Sequence, residues 1–310
     1  MKKNTKKLLI VLLGILLLTG CTTQLKNKET DKAISIKETG QVLTKNILCK
    51  PSSELTSHYT DNLEGKELEN FNNLPKCENF KITSGGYEGV WTSIIVKPLA
   101  WLIIQLGKLV KNYGLGLVLA SLAIRLAMYP VTKSTAMQSE LLKKAKPELD
   151  KLEKKYAGKN DQAAMMAKSR EMAMVYKKYN IKPVAGCLFA LLQIPLLIGF
   201  YEAINRVPAI FEGSLLGFQL GTTPYTGLSN GNFIYIILPI VVGLTTYYSL
   251  TLNSAANPDN KQMASMSKVM FIMITLMSFI ISSALGFYWI TTSLFTIAQN
   301  LIVKRNKEME

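Results

Sequence analysis

The sequence predicts an all-α polytopic membrane protein: five transmembrane helices with a cytoplasmic helical hairpin and an external interfacial amphipathic helix. Three observations predict it. The 310 residues are 48% hydrophobic and only 18% charged, against about 25% charge in an ordinary soluble domain. The apolar residues gather in long runs after residue 94. The 36 Lys and Arg, which bring the net charge to +15, gather between those runs, as they do in cytoplasmic loops. A secreted soluble protein and a disordered chain are both excluded. The single His, His58, lies outside every apolar run, so a His-rich metal site or a His relay within the membrane is excluded too.

The N-terminus reads as a targeting segment. Lys2, Lys3, Lys6 and Lys7 precede the apolar stretch Leu8 to Leu18, which is too short to span a bilayer comfortably. Leu18-Thr19-Gly20-Cys21 follows where that stretch ends. Residues 1–20 are therefore expected to be a lipoprotein signal peptide, with Cys21 diacylated as the mature N-terminus outside the cell membrane. Two acyl chains give stable attachment where one does not. Residues 21–85 form an external linker or small external region. From residue 22 it holds nine Lys and nine Asp or Glu with no clear period, which predicts poor order. Cys49 and Cys77 both fall here, and a disulfide and two free thiols fit equally. Residues 86–108 carry Trp91, Ile94, Ile95, Leu99, Trp101 and Leu102, interrupted by Lys97 and Lys108. They read as the interfacial helix, with Trp91 and Trp101 at headgroup depth.

Residues 109–303 form the five-span core. The first three spans are expected at about 113–132, 184–204 and 233–252. Residues 269–303 then run without a charge, too long for one span of about 20 residues. Ser282-Ser283-Ala284-Leu285-Gly286 breaks the run into short spans at 269–283 and 286–303, which suit a locally thinned bilayer. Residues 304–310 are a short cytoplasmic tail. The loop 133–183 holds 13 Lys or Arg against 6 Asp or Glu, while 207–232 holds Glu212 and no basic residue. All basic loops fall on one side, which puts the C-terminus inside. Residues 134–157 and 162–179 read as the two helices of the cytoplasmic hairpin, with a turn at Gly158-Lys159-Asn160-Asp161 and a kink or restart at Pro147. Met165, Met166, Met172 and Met174 on the second helix suit a surface that meets varied apolar segments, although by themselves they favour a charged hairpin that only joins two spans.

Polar residues inside the spans locate the candidate site. Arg125 lies eight residues before Lys133, about 12 Å from the cytoplasmic edge at 1.5 Å per residue. A charge at such depth costs about 2.5–3.5 kcal/mol on insertion scales, so a water-filled cavity facing Arg125 is expected. Gln193 and Glu202 in the second span, and Thr292, Thr296, Gln299 and Asn300 on one face of the fifth, suit its wall. Such a stripe also serves to hold helices together by hydrogen bonds.

These features resemble the YidC, Oxa and Alb family of membrane protein insertases. The resemblance rests on Ile124-Arg125-Leu126 with Tyr129-Pro130, Met137-Gln138 and Pro147-Glu148-Leu149. It continues through residues 176–183, Gly186-Cys187-Leu188, Leu192-Gln193-Ile194-Pro195, Gly286-Phe287-Tyr288-Trp289 and Gln299-Asn300. It covers about residues 86–303 and, with the short external region, is closest to the Gram-positive lipoprotein form. It departs at Phe189 and at Ser283-Ala284, where members often carry proline. The resemblance implies a hydrophilic groove between the first, second and fifth spans in the inner half of the bilayer, with Arg125 as its arginine and Tyr288 and Trp289 at its outer end. It implies insertion and chaperoning of nascent membrane proteins, alone or beside the Sec translocon, with membrane lipid as the other contact. No nucleic acid is contacted directly, and the seven-residue tail is too short to dock a ribosome as longer tails do. No cofactor or metal is implied. An intramembrane protease needs Asp or His in the spans, and they hold neither. A small-solute transporter or channel is the alternative, but no internal repeat supports it.

Overall fold

The computed structural model describes residues 22–159, 161–182, 184–252 and 261–308. The expected signal peptide and acylated Cys21 lie outside them. The described residues are mostly helical and form two compact units. The first holds the residues up to Ser121, Ile194–Pro239 and Ser278–Tyr288; the second holds Leu122–Gln193, Ile240–Met277 and the residues from Trp289 on.

The external region is folded, contrary to the expectation of poor order. Its first part is a nine-residue repeat. Leu25, Ile34 and Leu43 stand nine apart, and their backbones close a ring. The Leu25 amide donates to Leu43 O (2.8 Å), Leu43 to Ile34 O (2.9 Å) and Ile34 to Leu25 O (2.9 Å). Lys28-Glu29-Thr30-Asp31 and Lys37-Glu38-Thr39-Gly40 form equivalent turns, in which Asp31 (φ 52°) and Gly40 (φ 68°) both adopt the left-handed conformation. Gly40 is further constrained: a Cβ there would lie 2.2 Å from Thr226 Oγ1. Helices α1 (Ser53–Thr60) and α2 (Gly65–Asn72) complete an apolar core of Leu25, Leu43, Ile47, Tyr59, Leu63, Phe71 and Phe211. Tyr59 stacks on Phe71 at 5.1 Å, and its hydroxyl donates to Thr44 O at 3.1 Å. Cys49 and Cys77 are disulfide-bonded across 28 residues.

A π-helical turn, Thr92–Val96, leads into α3 (Lys97–Leu109). Pro98, which has no amide hydrogen to donate, sits where the winding changes. Together Thr92–Leu109 are long and apolar enough to cross a membrane, where the sequence pattern pointed to an interfacial helix. Lys97, the charge that argued against a span, is 1% exposed. Its ammonium donates to Ser84 O (2.7 Å) and Gly86 O (2.6 Å) and pairs with Glu88 (2.9 Å). Trp91 is likewise buried, with its indole N–H on Glu202.

Helix α4 (Tyr113–Ala127) ends five residues short of the expected first span, and α5 (Tyr129–Lys155) leaves it at 70°. Pro130 explains the break: it cannot donate to the preceding turn, and it disfavours helical geometry at Tyr129. Pro147, by contrast, sits inside an unbroken α5. An interior proline costs about 3 kcal/mol; here the burial of Ala145 and Leu149 on either side offsets it. Next come α6 (Gln162–Lys178), α7 (Val184–Arg206) and the short α8 (Pro208–Phe211). A two-residue hairpin of β1 (Ser214–Leu215) and β2 (Phe218–Gln219) follows, then α9 (Pro224–Ser229). Helix α10 (Ile237–Leu252), with the tight turn Phe233–Ile236 before it, forms a second stretch able to cross a membrane. Helix α11 (Lys261–Met277) begins before the expected fourth span and stops six residues earlier; its apolar part is Lys268–Met277. Helix α12 (Ser283–Glu308) closes the fold. By length and composition the described residues hold two candidate spans, or three if the bent pair α4–α5 counts as one.

The disulfide closes a loop long enough to matter for the small external core. Replacing Cys49 and Cys77 by Ser is expected to destabilise residues 22–85 by about 2–4 kcal/mol. Faster native-state proteolysis confined to that region is the readout.

Candidate functional site

Arg125 lies near the end of α4, on a helix built, apart from Tyr113 and Ser121, of Leu, Ala, Ile, Val and Gly. It is 4% exposed. Gln193, Thr292, Thr296, Gln299 and Asn300 belong to the same compact unit as Arg125. On α12, Thr292, Gln299 and Asn300 are buried, with Thr291 and Ser293 beside them; Thr296 is half-buried.

The α12 stripe satisfies most of its donors internally. Thr292 Oγ1 donates to Trp289 O (3.0 Å), Thr296 Oγ1 to Thr292 O (2.8 Å) and Asn300 Nδ2 to Thr296 O (2.9 Å). Such back-bonding to the preceding turn lets hydroxyl and amide groups sit in a dry helix. Two features break the pattern. Gln299 reaches across to Thr132 in the first turn of α5: Thr132 Oγ1 donates to Oε1 (3.1 Å) and Nε2 donates back (3.0 Å). Asn300 Oδ1 is buried with no hydrogen-bond partner among the described residues, so it offers an acceptor to water or to a passing polar group. The stripe thus holds a fastening at Gln299 and, among the described residues, an unpartnered acceptor at Asn300.

The two residues assigned to the outer end are consecutive on α12. Tyr288 belongs to the first unit, fully buried, with its ring 4.5 Å from Phe200. Trp289 belongs to the second unit and is half-buried. Glu202, read from the sequence as cavity wall, is also in the first unit. It accepts from the Trp91 indole N–H at 2.9 Å and faces Arg206 at 3.7 Å.

Arg206 is the residue that the sequence pass overlooked. It is 1% exposed. Its guanidinium donates to Asn46 O (2.7 Å), Thr92 Oγ1 (3.2 Å) and Glu88 (2.6 Å). Glu88, itself partly exposed, bridges it to Lys97, so two buried cations face one buried and one partly exposed carboxylate. The network ties the external region, α3 and the end of α7 into one body. The available signal was Glu202 and Arg206 at a four-residue spacing, which faces them on one side of a helix.

Helices α5 and α6 are fastened by two matching clips. Lys155 Nζ (2.6 Å) and Tyr156 Oη (2.8 Å) both donate to Glu171. Lys178 Nζ (2.5 Å) and Tyr179 Oη (2.9 Å) both donate to Glu148. In each clip a Lys-Tyr pair closing one helix grips a Glu on the other. The hydrogen bond from lysine, then that from tyrosine, holds Glu148 and Glu171 below the ordinary carboxylate range. Lys182 N donates to Gln138 Oε1 at 2.6 Å as a third fastening. Along one side of α6 lies an open cavity of about 540 Å³, lined by Met165, Met172 and Tyr176 of that helix and by Tyr156 and Lys159 of the turn before it.

Comparison with known proteins gives a consistent picture. Residues 105–310 match the family described as the 60Kd inner membrane protein. The chain is 38% identical over 216 residues to the membrane protein insertase MisCA of Bacillus subtilis, covering 69% of this chain and 79% of the relative. It is 34% identical over 226 residues to the membrane protein insertase YidC of Oceanobacillus iheyensis, covering 70% and 85%. Among solved structures, an active YidC insertase with its first transmembrane domain resolved aligns at TM-score 0.51 and 22% identity. That alignment covers 79% of this chain and 52% of the other. The likeness is one of fold, and this chain spans about half of that longer one.

Removing both clip carboxylates tests the α5–α6 fastening. Glu148 and Glu171 have lowered folded-state pKa values, so their stabilisation is present above the unfolded carboxylate value of 4.5 and is lost as pH falls through the lower folded values. Amide exchange across Gln162–Lys178 is expected to be faster at pH 7 in Glu148→Gln/Glu171→Gln than in the parent. The difference should vanish at pH well below 4.5, where the parent's own clips are protonated.

Proposed function

The chain belongs to the 60Kd inner membrane protein family, whose curated relatives are membrane protein insertases, and from that premise we propose that it inserts and helps fold integral membrane proteins. The carrying observation is Arg125, a cation 4% exposed on an apolar helix, in the same compact unit as the polar stripe of α12. A charge on a membrane helix is costly and marks a path for polar groups. In this reading Arg125, Gln193, Thr292, Thr296, Gln299 and Asn300 line a hydrophilic groove in the inner half of the bilayer. Tyr288 and Trp289 stand towards its outer end.

The groove hydrates a client's short external segment part-way across the membrane. Moving polar groups through bare hydrocarbon without hydrogen bonds costs several kcal/mol per group, and a hydrated half-way station lowers that cost. Arg125 attracts acidic residues in the segment. The client's apolar span then passes sideways into lipid, driven by transfer of apolar surface at about 25 cal/mol per Å². No nucleotide is required, and no group here acts as an enzyme's nucleophile or base. The exposed methionines of α6 receive the client's apolar segment first, since their flexible side chains adapt to varied sequences.

The proposal includes the five-span topology, with the basic loop 133–183 and the C-terminus inside and a lipid-anchored Cys21 outside. The distribution of Lys and Arg and Leu18-Thr19-Gly20-Cys21 support it. Nascent membrane proteins are the proposed clients, with the Sec translocon as a partner.

Purified protein in proteoliposomes tests the function. The client is a single-span protein with an acidic external segment, and protease protection is the readout. The parent is expected to insert it well above empty liposomes, Arg125→Lys to retain most of that activity, and Arg125→Ala to lose most of it. Full activity in Arg125→Ala would remove the charge from the mechanism; a parent no better than empty liposomes would refute unaided insertion.

A further inference from the structure

We propose that the β1–β2 hairpin tip, Leu216-Gly217, is an anchor seated in the lipid of the outer leaflet. The register pairs Ser214 with Gln219 and Leu215 with Phe218, leaving a two-residue loop. Both loop residues have positive φ, 52° at Leu216 and 86° at Gly217. Tight hairpin turns of this kind favour Asn-Gly, because Asn and Gly tolerate the left-handed region and branched or bulky side chains do not. Here the first position holds leucine, and it is 78% exposed. Neither turn chemistry nor packing within the chain accounts for an apolar side chain in that conformation.

The surroundings of the tip identify what covers it. A methyl group built on Gly217 would meet Ile234 Cδ1 at 3.8 Å. Phe218 packs edge-on against Tyr235 at 5.3 Å, and the Gln219 amide donates to the Tyr235 hydroxyl at 2.9 Å. Residues 233–252 are the stretch of 20 residues long and apolar enough to cross a membrane. The hairpin is therefore fixed to the beginning of that stretch. Its other side is fixed to the start of α4: Asn112 Nδ2 donates to Ser214 O (3.0 Å), while Asn112 Oδ1 accepts from the Leu115 amide (2.8 Å). Phe233, Ile234 and Ile237, in the same compact unit as the hairpin, are exposed. The apolar tip thus adds to the exposed apolar surface at the start of that stretch, which in the proposed topology is its outer end, where amphipathic and aromatic residues meet the headgroup boundary. The anchor fixes the depth of the first unit in the bilayer.

The test uses the full chain in vesicles of phosphatidylcholine and phosphatidylglycerol containing a phospholipid with a diazirine near the top of one acyl chain. After photolysis, labelled positions are mapped by mass spectrometry. Expected are adducts on residues 214–219 and on Ile240 and Leu244 of α10, with none on helix α2 of the external region. Leu216→Asn, which suits the turn, is expected to cut hairpin labelling several-fold, leave α10 labelling unchanged and melt no lower than the parent. Labelling of α10 without the hairpin would overturn the proposal, as would hairpin labelling in Leu216→Asn equal to the parent's. A Leu216→Asn protein melting well below the parent would make Leu216 a packing residue and overturn it too. Loss of α10 labelling would overturn the membrane placement on which it stands.

Discussion

The constraint that organises this molecule is the cost of charge and unpaired polar groups away from water. Each compact unit meets it in its own way. In the first unit, Arg206 and Lys97 are almost wholly buried, and every charged nitrogen faces a carbonyl, a hydroxyl or a carboxylate. Partly exposed Glu88 and buried Glu202 face the two cations. That pairing lets Lys97 sit buried in a largely apolar helix. In the second unit the hydroxyls of α12 fold back onto their own helix. The pairing in the first unit produces rigidity. In the second unit the Asn300 acceptor is left over, buried without a partner among the described residues.

Much of the fold was legible in the sequence, because helical periodicity, proline and basic loops are local signals. The bend after Ala127 follows from Pro130, although the span itself had been extended through it. The end of α6 near residue 179 and the stretch 233–252 follow from composition. The external region was not legible, since a nine-residue repeat matches neither the period of a helix nor that of a strand. It becomes visible only when Leu25, Ile34 and Leu43 are superposed with their turns, and two short copies of a turn are a weak signal in isolation. The partners of Lys97 were not legible for a related reason: they come from Ser84, Gly86 and Glu88, in a segment that reads as loop.

The candidate site was legible in part. Arg125 and the α12 stripe stand out from sequence alone, because few polar residues interrupt these runs. Glu202 was misassigned because depth along a helix does not say which neighbours a side chain meets; its partners are Trp91 and Arg206. Pro147 shows the opposite limit. Propensity alone predicts a break, yet burial of Ala145 and Leu149 outweighs it, as tertiary packing commonly outweighs local preference.

The α5–α6 pair carries this reasoning to its functional end. An amphipathic helix ordinarily holds its place by burying an apolar stripe, but α6 buries no residue fully. Met165, Met166 and Met174 stay exposed. What holds α6 is polar: Glu171 and Glu148 each gripped by a Lys-Tyr pair, with Gln138 on the Lys182 amide. Polar fastening is weaker than a packed core, and it leaves the apolar side chains unspent. A helix that had packed its methionines to gain stability would have lost the exposed apolar surface that, in the proposed function, meets a client's apolar segment. Clips at the helix ends and free methionines between them are therefore two sides of one arrangement: the electrostatics position the helix so that its hydrophobic residues remain available.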